Sequence, residues 1–136
     1  MEEAAETLKY GVLIEPQCCM NSSMSSKLEA LQALIEVVAK LRDPEGGCPW
    51  DLAQTQETLI PYVIEEAYEV VDALRSGDQA AIADELGDLL LQVVLQSQVA
   101  QDQNLFDLST VAQKITEKLI RRHPHVFSGL EVESLE

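Results

Sequence analysis

Residues 65–88 constrain the fold most strongly. Glu65, Glu66 and Glu69 come first, a break at Ser76-Gly77-Asp78 follows, and Glu85 and Asp88 come after it. Glu66/Glu69 and Glu85/Asp88 are both spaced i, i+3. On a helix that spacing puts each pair on one face, with Cβ atoms about 5–6 Å apart. If the two segments are helices made antiparallel by a turn at Gly77, four carboxylates converge on one point. They repel one another unless a positive charge lies between them, and the economical candidate is a divalent cation with oxygen ligands.

Apolar spacing predicts the helices that carry these residues. Ser26-x-x-Glu29 reads as a capping box, and Leu28, Leu31, Leu34/Ile35, Val38 and Leu41 predict a helix over 27–42 that ends at Asp43-Pro44. A second helix is expected over 54–75, with Leu59, Tyr62, Val63, Val70 and Leu74 as its stripe and Pro61 in the first turns. Glu66 falls inside that stripe and Glu69 at its edge. An unpaired buried charge is costly, so Glu66 needs a partner. A buried salt bridge is one answer, yet the chain has only nine Lys and Arg, and none precedes Arg75 in this helix. After Gly77 as a stop and Asp78 as an N-cap, a third helix is expected over 79–102. Ile82, Leu86, Leu89, Leu90, Val93 and Val94 are its expected core, with Glu85, Gln92 and Gln96 as a polar line beside them. Asp107 caps a fourth helix over 108–122, with Leu108, Val111, Ala112, Ile115 and Leu119 inward. The expectation is an all-α, four-helix bundle-like fold.

The length of 136 residues suits one domain, read here as 27–129. Residues 1–26 read as a peripheral or flexible extension, with Ser22–Ser26 as a linker and Tyr10–Ile14 as a short strand or docking segment. Residues 130–136 read as an acidic, solvated tail. A net charge of −15 argues against a nucleic-acid polymer or an anionic membrane as partner. The Met-Glu-Glu start lacks the features of a signal peptide, and no apolar run approaches the roughly 20 residues that span a bilayer. Cys18, Cys19 and Cys48 are odd in number with two adjacent, which reads as reduced thiols in a cytoplasm rather than a disulfide framework.

Two further features bear on chemistry. The loop at 43–51 presents Trp50, the only tryptophan, either to plug a core edge or to offer a stacking surface for a nucleobase. Lys114, Lys118, Arg121 and Arg122 supply four of the nine basic residues within nine positions. They suit a helix C-terminus, and they equally suit a phosphate clamp. Oxygen-only ligands select Mg²⁺, Mn²⁺ or Ca²⁺, and no EF-hand loop is present. Both histidines lie beyond the last long helix, so the Glu-x-x-His pairs of a di-iron bundle are missing. There is no P-loop and no Gly-x-Ser-x-Gly. Carboxylates, a basic cluster and one aromatic plate together suggest hydrolysis of a nucleotide polyphosphate.

Glu65-Glu66-x-x-Glu69, fifteen residues, then Glu85-x-x-Asp88 resembles the EExxE…ExxD signature of the MazG-like nucleotide pyrophosphohydrolases. The flanks match too: Leu41-Arg42-Asp43-Pro44 to Cys48-Pro49-Trp50-Asp51, Gln54-Thr55, and Arg121-Arg122-His123-Pro124-His125-Val126-Phe127. The resemblance implies an all-α bundle, a homodimer or homotetramer, that converts nucleoside triphosphates to monophosphates and pyrophosphate with Mg²⁺, Mn²⁺ being a substitute. It implies Glu66, Glu69, Glu85 and Asp88 as metal ligands. Glu65 would support them or act as base, giving Glu65, Glu66 and Glu69 as the catalytic acids. Lys118, Arg121 and Arg122 would hold phosphates, with Trp50 against the base. Leu52 and Gln56 depart from the family, standing where relatives often carry Lys and His. Those departures support an alternative reading, a catalytically silent nucleotide-binding or regulatory module.

Overall fold

The computed structural model describes residues 22–129. Among them it has six helices and no strand: α1 (Ser22–Leu41), α2 (Pro49–Ala53), α3 (Ile60–Ser76), α4 (Gln79–Asp102), α5 (Leu108–Arg122) and α6 (Pro124–Phe127). The expectations for Tyr10–Ile14, Cys18, Cys19 and the 130–136 tail lie outside the described residues. Lys27–Leu108 forms one compact unit, and from Ser109 onward α5 and α6 belong to a second. No helix among the described residues is long and apolar enough to cross a membrane.

The α3–α4 hairpin is dictated locally. Gly77 closes α3 at φ +73°, a left-handed conformation that glycine adopts without a Cβ penalty. The Ser76 hydroxyl donates to the Ala73 carbonyl at 2.7 Å and accepts from the Asp78 N–H at 3.2 Å. The Asp78 carboxylate then accepts from the N–H groups of Ala80 and Ala81, capping α4 at its first turn. The predicted bounds of this helix, 79–102, are the observed ones.

Helix α3 starts six residues later than the apolar stripe suggests. Thr55 and Thr58 exchange side-chain bonds: Thr55 N–H donates to Thr58 Oγ1 at 2.8 Å, and Thr58 N–H to Thr55 Oγ1 at 3.2 Å. These bonds hold a turn ahead of Ile60, and Pro61 sits at the helix start, where its missing N–H costs nothing. At the other end of the unit, α1 begins at Ser22, so Ser22–Ser26 is helix rather than linker. Ser26 Oγ donates to the Ser23 carbonyl inside that helix, and the expected capping box does not mark its start.

The core lies where α1, the 54–59 turn and the C-terminal half of α4 meet. Val38, Leu59, Val94, Leu95 and Val99 are buried together, with Leu34, Ile35, Tyr62, Leu91 and Leu108 packed around them. Several residues expected inside are not. Leu86 is 47% exposed and Leu90 and Val93 are similarly open; Val63, Leu74, Ile115 and Leu119 are also exposed. Apolar periodicity identifies a face, but one compact unit has too few helices to cover both sides of its longest one.

Arg42 locks the loop after α1. Its guanidinium is buried; Nε donates to Asp102 Oδ2 at 2.8 Å, and Nη1 donates to the carbonyls of Asp51 and Gln54. The end of α1, the α2 segment and the end of α4 are thereby joined. Below it, Gly47 N–H donates to the Asp43 carbonyl and Cys48 N–H to the Leu41 carbonyl. A Cβ on Gly47 would lie 2.5 Å from the Leu41 and Asp43 carbonyl oxygens, so only glycine fits.

Candidate functional site

The hairpin brings Glu66 of α3 together with Glu85 and Asp88 of α4. Each offers one carboxylate oxygen, and the three oxygens lie within 4.8 Å of one another. Glu66 and Glu85 are half-buried and Asp88 is exposed. No Lys or Arg forms an ion pair with them among the described residues; Arg42 is paired with Asp102, and Arg75 with Asp72. A salt bridge therefore does not explain Glu66.

The electrostatics record the crowding. The Glu66 carboxyl is held above its ordinary value by loss of hydration first, then by the charges of Asp88, Glu65, Glu85 and Glu69. Glu85 is raised likewise, by loss of hydration, then Glu69, Asp88 and Asp84. Glu69 is exposed and stands outside the tight group of three, yet its charge acts on both partners. Glu65 is exposed and acts on Glu66. Asp84 was not singled out by the i, i+3 pattern, because it precedes Glu85 on a neighbouring face.

This donor set fits a hard divalent cation. All three donors are carboxylate oxygens, with no nitrogen or sulfur among them. A cation between them would relieve the mutual repulsion that adds to loss of hydration in raising Glu66 and Glu85.

Trp50 sits on α2, a short helix that starts at Pro49 with Cys48 in extended geometry ahead of it. Trp50 is 49% exposed, so it is not buried in a core edge. It meets Tyr62 edge-to-face, with centroids 5.7 Å apart and planes at 85°. Gln54 Nε2 donates to the Trp50 carbonyl at 3.0 Å, steadying the segment. Gln56, half-buried, accepts at its carbonyl from Gln96 Nε2 at 3.0 Å. The basic residues Lys114, Lys118, Arg121 and Arg122 are exposed on α5, in the second unit. His123 Nδ1 lies 2.7 Å from the Leu119 carbonyl.

A family model described as the MazG nucleotide pyrophosphohydrolase domain matches residues 54–127. The chain is 46% identical over 107 residues to a nucleoside triphosphate pyrophosphohydrolase of Escherichia coli K12, covering 79% of this chain and 41% of that protein. It is 48% identical over 96 residues to a nucleoside triphosphate pyrophosphohydrolase/pyrophosphatase MazG of Thermotoga maritima, covering 71% and 37%. A nucleoside triphosphate pyrophosphohydrolase of Mycobacterium tuberculosis is 39% identical over 107 residues, covering 77% and 33%. The chain thus spans well under half the length of these relatives.

Proposed function

The chain belongs to the MazG nucleotide pyrophosphohydrolase family, and from that premise we propose that it hydrolyses nucleoside triphosphates to nucleoside monophosphates and pyrophosphate. The observation that carries this reading is the meeting of Glu66, Glu85 and Asp88 with no cationic side chain paired to them among the described residues. These three would hold Mg²⁺, or Mn²⁺ in its place, and Glu69 would join them by turning its side chain. When bound, the cation would neutralise polyphosphate charge and make a nearby water more acidic. Glu65, beside Glu66, would take the proton from the attacking water. One anhydride bond between the α and β phosphates breaks, and the leaving oxygen stays with one product. Lys118, Arg121 and Arg122 would balance phosphate charge, as guanidinium and ammonium groups do. Trp50, half exposed and braced by Tyr62, would stack on the base.

The protein would work in the cytoplasm as a homodimer or homotetramer. Ile60, Val63 and Ile64 on α3 and Leu86, Leu90 and Val93 on α4 are exposed apolar side chains, and a second copy would cover them. Residues 27–129 would make up the catalytic domain, with 1–26 and 130–136 peripheral to it. Incubation with a panel of triphosphates tests the activity. The expected result is monophosphate and pyrophosphate in equal amounts, abolished by chelation and by Glu69→Gln with the helical signal kept. Tight nucleotide binding without product would instead favour the silent module that the Leu52 and Gln56 departures suggest.

A further inference from the structure

The carboxylate cluster does not account for Gln92. This residue is 7% exposed on α4, and its Oε1 is buried with no hydrogen-bond partner among the described residues. Buried polar atoms are nearly always paired, because an unpaired one keeps the full cost of losing its water. A partner from outside the chain resolves that cost.

Position narrows what the partner is. Gln92 follows Asp88 by four residues and Glu85 by seven, so all three lie on one face of α4. Two ties set the register of α4 against the chain around the start of α3. Glu66 meets Glu85 and Asp88 at one end, and Gln96 Nε2 reaches the Gln56 carbonyl at the other. Gln92 falls between them, at the level of the first turn of α3, which carries Tyr62. Tyr62 in turn meets Trp50. The carboxamide and Tyr62 therefore share one level of the hairpin, about one turn from the carboxylates, with Trp50 against Tyr62. Asp88 and Gln92 are separated by about 6 Å of helix rise. A nucleotide whose phosphates lie at the carboxylates and whose base lies at Trp50 passes its nucleoside part along this interval.

We propose that Gln92 reads the nucleoside, its Oε1 accepting a hydrogen bond from an N–H or O–H of the base or sugar. The proposal rests on the nucleotide reading of the site given above. Phosphate oxygens at neutral pH are acceptors, so they do not satisfy a carbonyl oxygen, whereas an N–H or O–H of the nucleoside does. A site that hydrogen-bonds its ligand in this way discriminates against analogues lacking the donor.

Calorimetric titration of non-hydrolysable α,β-imido triphosphates with Mg²⁺ tests this without turnover. Gln92→Met keeps the volume and removes the acceptor. It should weaken binding of the preferred nucleotide by about tenfold or more, while inorganic imidotriphosphate binds as before. On the unaltered protein, either a 2′,3′-dideoxy sugar or an N-methylated base should cause a loss of the same size, and that loss should vanish in Gln92→Met. The dideoxy arm identifies a sugar hydroxyl, the methylated arm a base N–H. The proposal is overturned if Gln92→Met binds every nucleotide within twofold of the parent, or loses imidotriphosphate equally. It is also overturned if neither ligand change matters to the unaltered protein. A protein that binds the imido analogues but releases no pyrophosphate refutes the hydrolase reading alone, and the same titrations still decide Gln92. One that binds no nucleotide overturns both.

Discussion

Replacing Arg42 by Met removes a guanidinium while keeping much of its aliphatic stem. The side chain is 8% exposed, against 35% for Asp102. Removing one partner of a buried ion pair costs about 3–5 kcal/mol. Asp102 is open enough to recover water, and Gln98 Nε2 still donates to its Oδ1 at 2.9 Å. The lower end therefore applies, about 3 kcal/mol, with part of it from the Asp51 and Gln54 carbonyls that lose their donor. For a chain of this size that lowers the thermal midpoint by about 10 °C. Thermal and urea unfolding followed by circular dichroism, at fixed protein concentration, read the change. Arg42→Met/Asp102→Asn should recover part of the loss, because no lone carboxylate then remains. A loss below about 1 kcal/mol, the value of an exposed pair, would refute the reasoning. Because Arg42 also holds the α2 segment, the variant should raise KM for nucleotide more than it lowers kcat.

Two further predictions concern the site and its supporting loop. Glu66 and Glu85 are raised in the metal-free fold, so the folded chain binds their protons more tightly than the unfolded chain. Their contribution is complete below the unfolded carboxylate value and is lost as pH rises through the raised values. The gap in thermal midpoint between protein with Mg²⁺ and protein with chelator should therefore widen from acidic to neutral pH; a gap that narrows contradicts the cluster's role. Gly47→Ala should destabilise by about 2 kcal/mol, since its Cβ would overlap two carbonyl oxygens and the loop must open; chemical denaturation measures this, and a change within about 0.5 kcal/mol counts against the close approach.

The parts of the fold that were legible from sequence are those with local chemical punctuation. Gly77 and Asp78 end one helix and begin the next within two residues, so the bounds of α4 read correctly from spacing alone. The start of α3 did not, because the Thr55–Thr58 bonds form a turn whose residues also fit a helical stripe. The exposed Leu86, Leu90 and Val93 show the same limit at the level of packing: periodicity marks a face, not what covers it. At the site, Glu66, Glu85 and Asp88 converge as their spacing implies, whereas Glu69 is not in that group. Arg42 was visible only as part of a flanking motif. Its role depends on Asp102, sixty residues away, and nothing local announces that pairing. The unpartnered Oε1 of Gln92 likewise became visible only once burial was known.

Titration of the chain with Mn²⁺, followed by electron paramagnetic resonance, tests the central claim most directly. The unaltered protein should take up the ion stoichiometrically and Asp88→Asn should lose that binding, with both proteins equally helical by circular dichroism. Unchanged affinity in Asp88→Asn would contradict a cation held by Glu66, Glu85 and Asp88.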